Sequence, residues 1–182
     1  MQPAYAPETI LEFWRTVGPD RWFKPDLELD REIRERFLAV HEAAVAGKLA
    51  DWEQTAEGAL ALLILLDQFP RNMFRGTARA FASDAQAREI AGRSIARGYD
   101  RAIDRELRTF FYLPFMHSEA LADQERCLAL YRATGEAGGI KYAEIHLDAI
   151  RRFGRFPHRN KMLGRESTPD ELAYLESGGF GG

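Results

Sequence analysis

The residues able to do polar chemistry gather into three short words along the chain. The first holds Asp67, Gln68, Arg71, Asn72 and Arg75; the second holds His117, Ser118 and Glu119. The third holds Arg151, Arg152, Arg155, His158, Arg159, Asn160 and Arg165. A guanidinium presents a planar fork that grips a carboxylate or phosphate through paired hydrogen bonds. Helix N-termini add backbone N–H donors for the same kind of anion. One reading is therefore a binding module with an arginine-lined polar pocket for an anionic small molecule or a peptide carboxylate. Asp67, Gln68, Arg71, Asn72, Arg75, His117, Glu119, Arg155, His158, Arg159 and Asn160 would line it. The other reading is architectural: Arg and Asn side chains tie off the carbonyls and amides that helix ends leave unmade. Of the arginines, Arg71, beside Asp67 and Gln68, is the expected ligand-facing one. Arg159, inside an arginine-dense connection, is the expected strut.

Other chemistries fit less well. His117 and Glu119, with His146 or Asp67, form an imidazole–carboxylate set of the kind that zinc, iron or manganese accepts, as in a metal-assisted hydrolase. The spacing matches no His-Glu-x-x-His helix, and Glu119 sits where a helix N-terminus favours an acid. No metal or other cofactor is therefore expected. His146, between Ile145 and Leu147, reads as a core histidine. Ser118 adjoins His117 without the strand–turn–helix elbow of a serine nucleophile. Cys127 sits mid-helix, with no positive helix end to lower its pKa. As the sole cysteine it excludes an intramolecular disulfide and a multi-thiolate zinc site, and it fits a reducing, cytoplasmic setting.

The elements that must position these words all read as helices. Leu29, Ile33, Phe37, Val40 and Ala44 share one helical face, opposite Arg31, Glu32, Glu35 and Arg36. Asp51 with Gln54 predicts a capped start for the next helix, which carries the apolar run Ala59 to Leu66. That run predicts a central, fully buried helix. Ser83 with Gln86 repeats the cap pattern ahead of Ile90, Ala91 and Ile95. Ile103, Leu107, Phe110 and Phe111 make a face interrupted at Pro114. Ser118 is the expected cap of a helix bearing Leu121, Leu128 and Tyr131, and Ile140 to Ile150 forms another. Thr168-Pro169-Asp170-Glu171 opens the last. The aromatics Trp14, Trp22, Phe23 and Trp52 are expected to staple the first helices; exposure of Trp22-Phe23 would instead mark a contact surface. No period-2 strand pattern occurs. The expected architecture is all-α: about eight helices in antiparallel pairs, forming a bundle or a short α-solenoid. Residues 1–182 read as one domain, with a flexible tail over 178–182.

Composition bounds the partners. A 46% hydrophobic, 12% aromatic chain of 182 residues can bury a sizeable core. With net charge −3 and no basic stripe, nucleic acid is not an expected partner. The longest apolar run is far short of the roughly 20 residues a membrane helix needs. Met1-Gln2-Pro3-Ala4 has neither the basic start nor the apolar run of a secretory signal. An alternative to the anion pocket is a protein–protein interaction module with a concave helical surface.

Two of the polar words also resemble each other. Phe69-Pro70-Arg71-Asn72 and Phe156-Pro157-His158-Arg159-Asn160 share an aromatic–proline step, then Arg-Asn, then Gly76 or Gly164 four residues after the Asn. Leu65-Leu66-Asp67-Gln68-Phe69-Pro70-Arg71-Asn72 with Arg75-Gly76-Thr77 resembles the bacterial family called domain of unknown function 924. So do Pro114-Phe115-Met116-His117-Ser118-Glu119 with Gln124, and Arg152 to Asn160 with Leu163 to Thr168. The opening Phe13-Trp14 and Trp22-Phe23 fit as well, and the likeness spans about residues 8 to 178. The resemblance implies a tetratricopeptide-like helical fold and no particular activity.

Overall fold

The computed structural model describes residues 5–181. Met1–Ala4, on which the reading about a secretory signal rests, lies outside the described residues, as does Gly182 of the tail. Among the described residues there is no strand. The helices are α1 (Pro7–Val17), α2 (Pro19–Trp22), α3 (Leu27–Val45), α4 (Ala56–Leu63), α5 (Phe69–Met73), α6 (Asp84–Ala96), α7 (Tyr99–Ala102), α8 (Thr109–Met116), α9 (Leu121–Thr134), α10 (Ala137–Phe153) and α11 (Pro169–Glu176). Eight of these run for eight residues or more, as the periodicity predicts. No described helix is long and apolar enough to cross a membrane. The chain forms two compact units. One comprises the residues up to Arg75 with Arg79–Pro114; the other comprises Gly76–Ala78 with Phe115 onward.

In the first unit every residue from Ala59 to Leu66 is at most 3% exposed. Such a run can only be covered on all sides, and α4 packs against both α1 and α6. α3 turns its Leu29–Ile33–Phe37–Val40–Ala44 stripe inward and lies along α5. Aromatic rings fill the remaining space. Phe69 sits 5.5 Å from Trp14 and 5.0 Å from Phe37, and Trp22 stacks at 6.0 Å on Trp14. The Trp22 Nε1–H donates to the Trp14 carbonyl at 2.7 Å. Trp14 and Trp22 thus staple the first helices, whereas Phe23 remains 61% exposed and Trp52 half-buried.

Several helix ends differ from the sequence reading. Ala50–Gln54 is a separate 3-10 turn, and the cap of α4 is Thr55, whose hydroxyl accepts the Gly58 N–H at 3.0 Å. Pro114 lies inside α8 rather than ending a helix. α9 is capped by Ala120, not Ser118. Ser83 precedes α6, but its hydroxyl bonds elsewhere.

In the second unit α9 and α10 are joined by the short turn Gly135-Glu136 and pack along each other, so they run antiparallel. α11 opens on the predicted capping box. Thr168 Oγ1 accepts the Glu171 N–H at 3.2 Å, and the Glu171 carboxylate accepts the Thr168 N–H at 2.8 Å.

Candidate functional site

The first polar word is organised by a proline in the wrong place. Between α4 and α5 the chain stays helical through Ile64–Gln68, but widens to π spacing, with the Phe69 N–H donating to the Ile64 carbonyl. Pro70 has no N–H to give, and its ring would strike the carbonyl four residues back, Leu66. Widening relieves the clash and strands carbonyls in a buried helix. Side chains answer each one. The Leu65 carbonyl meets His41 Nδ1 at 2.8 Å, and since a carbonyl only accepts, that nitrogen must donate. The Leu66 carbonyl accepts the Ser83 hydroxyl at 2.6 Å, and the Asp67 carbonyl accepts Arg71 Nη1 at 2.6 Å. Burial lowers the pKa of His41.

Arg71 also closes a fork on Asp84, with both bonds at 2.9 Å, and approaches Asp67 at 3.3 Å. Burial opposes its charge, but Asp67 and Asp84 overcome that and raise its pKa. Gln68 donates to the Asp67 carboxylate. Arg75 forks onto Asp30 at 2.6 and 2.8 Å, and Asn72 donates to the same carboxylate at 2.8 Å. The expected ligand-facing arginine is therefore turned onto the chain's own acids.

The second unit repeats the device. Arg155 forks onto Glu171 at 2.6 and 2.9 Å and reaches the Glu166 carbonyl at 2.8 Å. Asn160 adds a donor to Glu171 at 3.1 Å. The two Phe-Pro words thus share one physical function: the Asn of each, with an arginine, clamps a buried carboxylate. Their backbones differ, because Pro157 starts a 3-10 turn, Pro157–Arg159, after the break at Gly154. Hydrogen bonds from Arg155, against the opposing effect of burial, hold the Glu171 carboxyl at a pKa of about 2; the Thr168 N–H and Asn160 add to this. Glu119 is held by Arg165 at 2.7 and 2.9 Å and accepts the Phe156 N–H at 2.8 Å. Burial works against its charge, yet these partners keep its pKa below the usual value. Gln124 donates to the carbonyls of Met116 and Ser118 at 2.7 and 2.6 Å, closing the end of α8. The Ser118 hydroxyl donates to Asp123 at 2.6 Å.

A different set remains around Phe156. This ring is fully buried, with His146 and His158 each 5.6 Å away and the Arg159 guanidinium 4.6 Å above it. Burial drives the His146 pKa down to about 3, and the nearby charges of His117, Arg159 and His158 push the same way. Burial and then Arg159 take His158 to about 4; Glu119 opposes this, while His117 and Arg165 add to it. His146 Nδ1 lies 2.8 Å from the Tyr142 carbonyl, whereas His158 Nδ1 is buried without a hydrogen bond. Of the predicted site residues, this set holds His158 and Arg159, and His117 acts on both histidines through its charge. Arg159, expected to be a strut, is buried, with its guanidinium over Phe156. Cys127 is buried, which pushes its thiol pKa to about 12. Among the described residues no cluster of three or more His, Cys, Asp or Glu is placed to hold a metal ion. No histidine lines either of two surface clefts, of about 560 and 330 Å³. Arg152, Phe153, Asp170 and Tyr174 line the first; Thr9, Glu12, Arg21 and Arg36 line the second.

The sequence pattern of a family described as "Bacterial protein of unknown function (DUF924)" matches residues 10–179. The chain belongs to the DUF924 family. A solved structure of a protein of unknown function from Agrobacterium tumefaciens is similar to it. That structure has 47% identity, covers 94% of this chain and 97% of its own, and superposes with a TM-score of 0.91. No curated protein matches the chain. In this DUF924 chain the acids that complete the clamps, Asp30 and Asp84, escape the sequence reading. The signal for Asp30 is its place on the buried face of α3, in step with Ile33, Phe37 and His41.

Proposed function

We propose that this chain is a binding module for an anionic small molecule or a peptide carboxylate, anchored by Arg159 with His117, His146 and His158. One observation carries the reading. The Arg159 guanidinium lies 4.6 Å over the buried Phe156 ring, and His146 and His158 each lie 5.6 Å from the same ring.

Calorimetric titration with propionate tests this. Binding that Arg159→Gln weakens at least tenfold supports it. Binding that Arg159→Gln leaves unchanged overturns it.

A second reading, a protein-contact surface, has its own observation. Phe23 and Leu27 lie close together in sequence on the first unit, 61% and 82% exposed. Loss of a measured protein association in a Phe23→Asp, Leu27→Asp variant with unchanged propionate binding favours that reading.

A further inference from the structure

The segment after α11 does not simply leave the fold. Gly178 turns the chain with φ of 82°, a conformation that favours glycine. Gly179 then crosses Tyr174 so closely that a Cβ there would lie 2.5 Å from the Tyr174 carbonyl oxygen and 2.6 Å from its ring. The Phe180 N–H donates to the Tyr174 hydroxyl at 2.9 Å. This route delivers the Phe180 ring to the Phe156 set described above. It lies 4.1 Å from His146, 5.0 Å from His158 and 6.0 Å from Phe156.

The fit of that ring is incomplete in a specific way. Ala149, Ile150 and Phe156 form a closed apolar cluster without it, and Phe180 is laid against them, half-buried. Its other two neighbours are imidazoles. A phenyl ring offers His158 Nδ1 no hydrogen bond, and that buried nitrogen has none. A phenyl group suits the Phe156 side of this site; a polar, anionic group suits the imidazole and guanidinium side. Phe180 supplies only the first. Glycines on both sides of it, Gly178-Gly179 and Gly181, lower the barrier to moving the segment away.

We infer that Phe180 is a tethered, displaceable occupant of the aromatic half of this site, whose ligand is an aromatic carboxylate. The inference rests on the anion-binding reading above. Phe180 competes intramolecularly, so it lowers the apparent affinity by the fraction of molecules in which the ring is docked.

The test compares full-length wild type with Phe180→Ala, titrated with propionate and with 3-phenylpropionate. The expected result is that Phe180→Ala binds 3-phenylpropionate at least tenfold more tightly than wild type, while propionate affinity stays within about twofold. If propionate binds but 3-phenylpropionate gains nothing, Phe180 is a fixed part of the core. Only this inference then fails. Equal gains for both probes also overturn it, because the segment then blocks the anion subsite and not an aromatic one. If neither probe binds either protein, the anion reading itself fails. Should Phe180→Ala not fold, Phe180→Leu, which keeps an apolar cap on Phe156, carries the same expectation.

Discussion

Replacing Arg71 by lysine separates strut from ligand-binding residue, because the charge stays while the fork is lost. In the folded chain the guanidinium makes two bonds of 2.9 Å to Asp84 and one of 2.6 Å to the Asp67 carbonyl. Its side chain is 20% exposed, against 12% for Asp84 and 1% for Asp67. An ammonium can hold one of these partners well, leaving a buried carboxylate oxygen or the stranded Asp67 carbonyl unpaired. Hydrogen bonds to charged groups contribute about 1.5–3 kcal/mol each, and removing a partner of a buried pair costs about 3–5 kcal/mol. Since the charge survives, the loss comes to about 2–4 kcal/mol, or roughly 5–15 °C in melting temperature for a chain of this length. Arg159→Lys gives up the stacking of its planar guanidinium on Phe156, a contact of about 1 kcal/mol. Differential scanning calorimetry of the two variants, with a double-mutant cycle of Arg71→Lys and Asp84→Asn, measures this directly. A melting drop under about 2 °C for Arg71→Lys, or a coupling to Asp84 near zero, refutes the reasoning.

Three further outcomes follow from the geometry. The Glu171 pKa is lowered from 4.5 to about 2, so the stability it confers is complete above pH 4.5 and is lost as pH falls toward 2. Urea melts of Glu171→Gln should be weaker than wild type at pH 7 and converge with it in acid; a constant difference across this range contradicts the assignment. Gly58→Ala should destabilise by about 1–3 kcal/mol despite alanine's better helix propensity, because its Cβ would lie 2.1 Å from the Trp52 carbonyl oxygen; a stabilised variant in thermal melts would count against the packing of α4 on the 3-10 turn. Cys127, buried and with its pKa raised to about 12, should react with a thiol reagent only as fast as the protein unfolds, and rapid labelling of native protein would contradict its burial.

Some local signals survived translation into structure, whereas others and the long-range pairings did not. The capping box of α11 lies within four consecutive residues, Thr168 to Glu171, and forms as written. The Ala59–Leu66 run needs no partner to be identified, because eight apolar residues in a row must be covered whatever covers them. Ser83 carries an equally good cap signal, yet its hydroxyl goes to the Leu66 carbonyl, which is stranded only because Pro70 sits in a continuing helix. Pro114 read as a break and was instead absorbed inside α8, as π spacing absorbs Pro70. The clamps were half-legible. Arg71, Asn72, Arg75, Arg155 and Asn160 announced themselves as polar residues at helix ends. Their carboxylates lie far away in sequence, Asp30 42 residues before Asn72, and only the fold pairs them. The Gly-Gly-Phe-Gly-Gly segment carries no periodicity from which a docked Phe180 follows.

The central claim is that anions bind at the wall formed by Arg159, His117, His146 and His158, and not at the arginine forks. The chain's four histidines make an internal comparison, since His41 caps the Leu65 carbonyl in the first unit, beside the Arg71 word. Ring-proton NMR during a propionate titration at pH 6.5 reads all four at once. The account predicts saturable shifts of His117, His146 and His158 with one common dissociation constant, and no shift of His41. Saturable shifts of His41 with the other three unmoved, or no saturable shift in any of them, would contradict it.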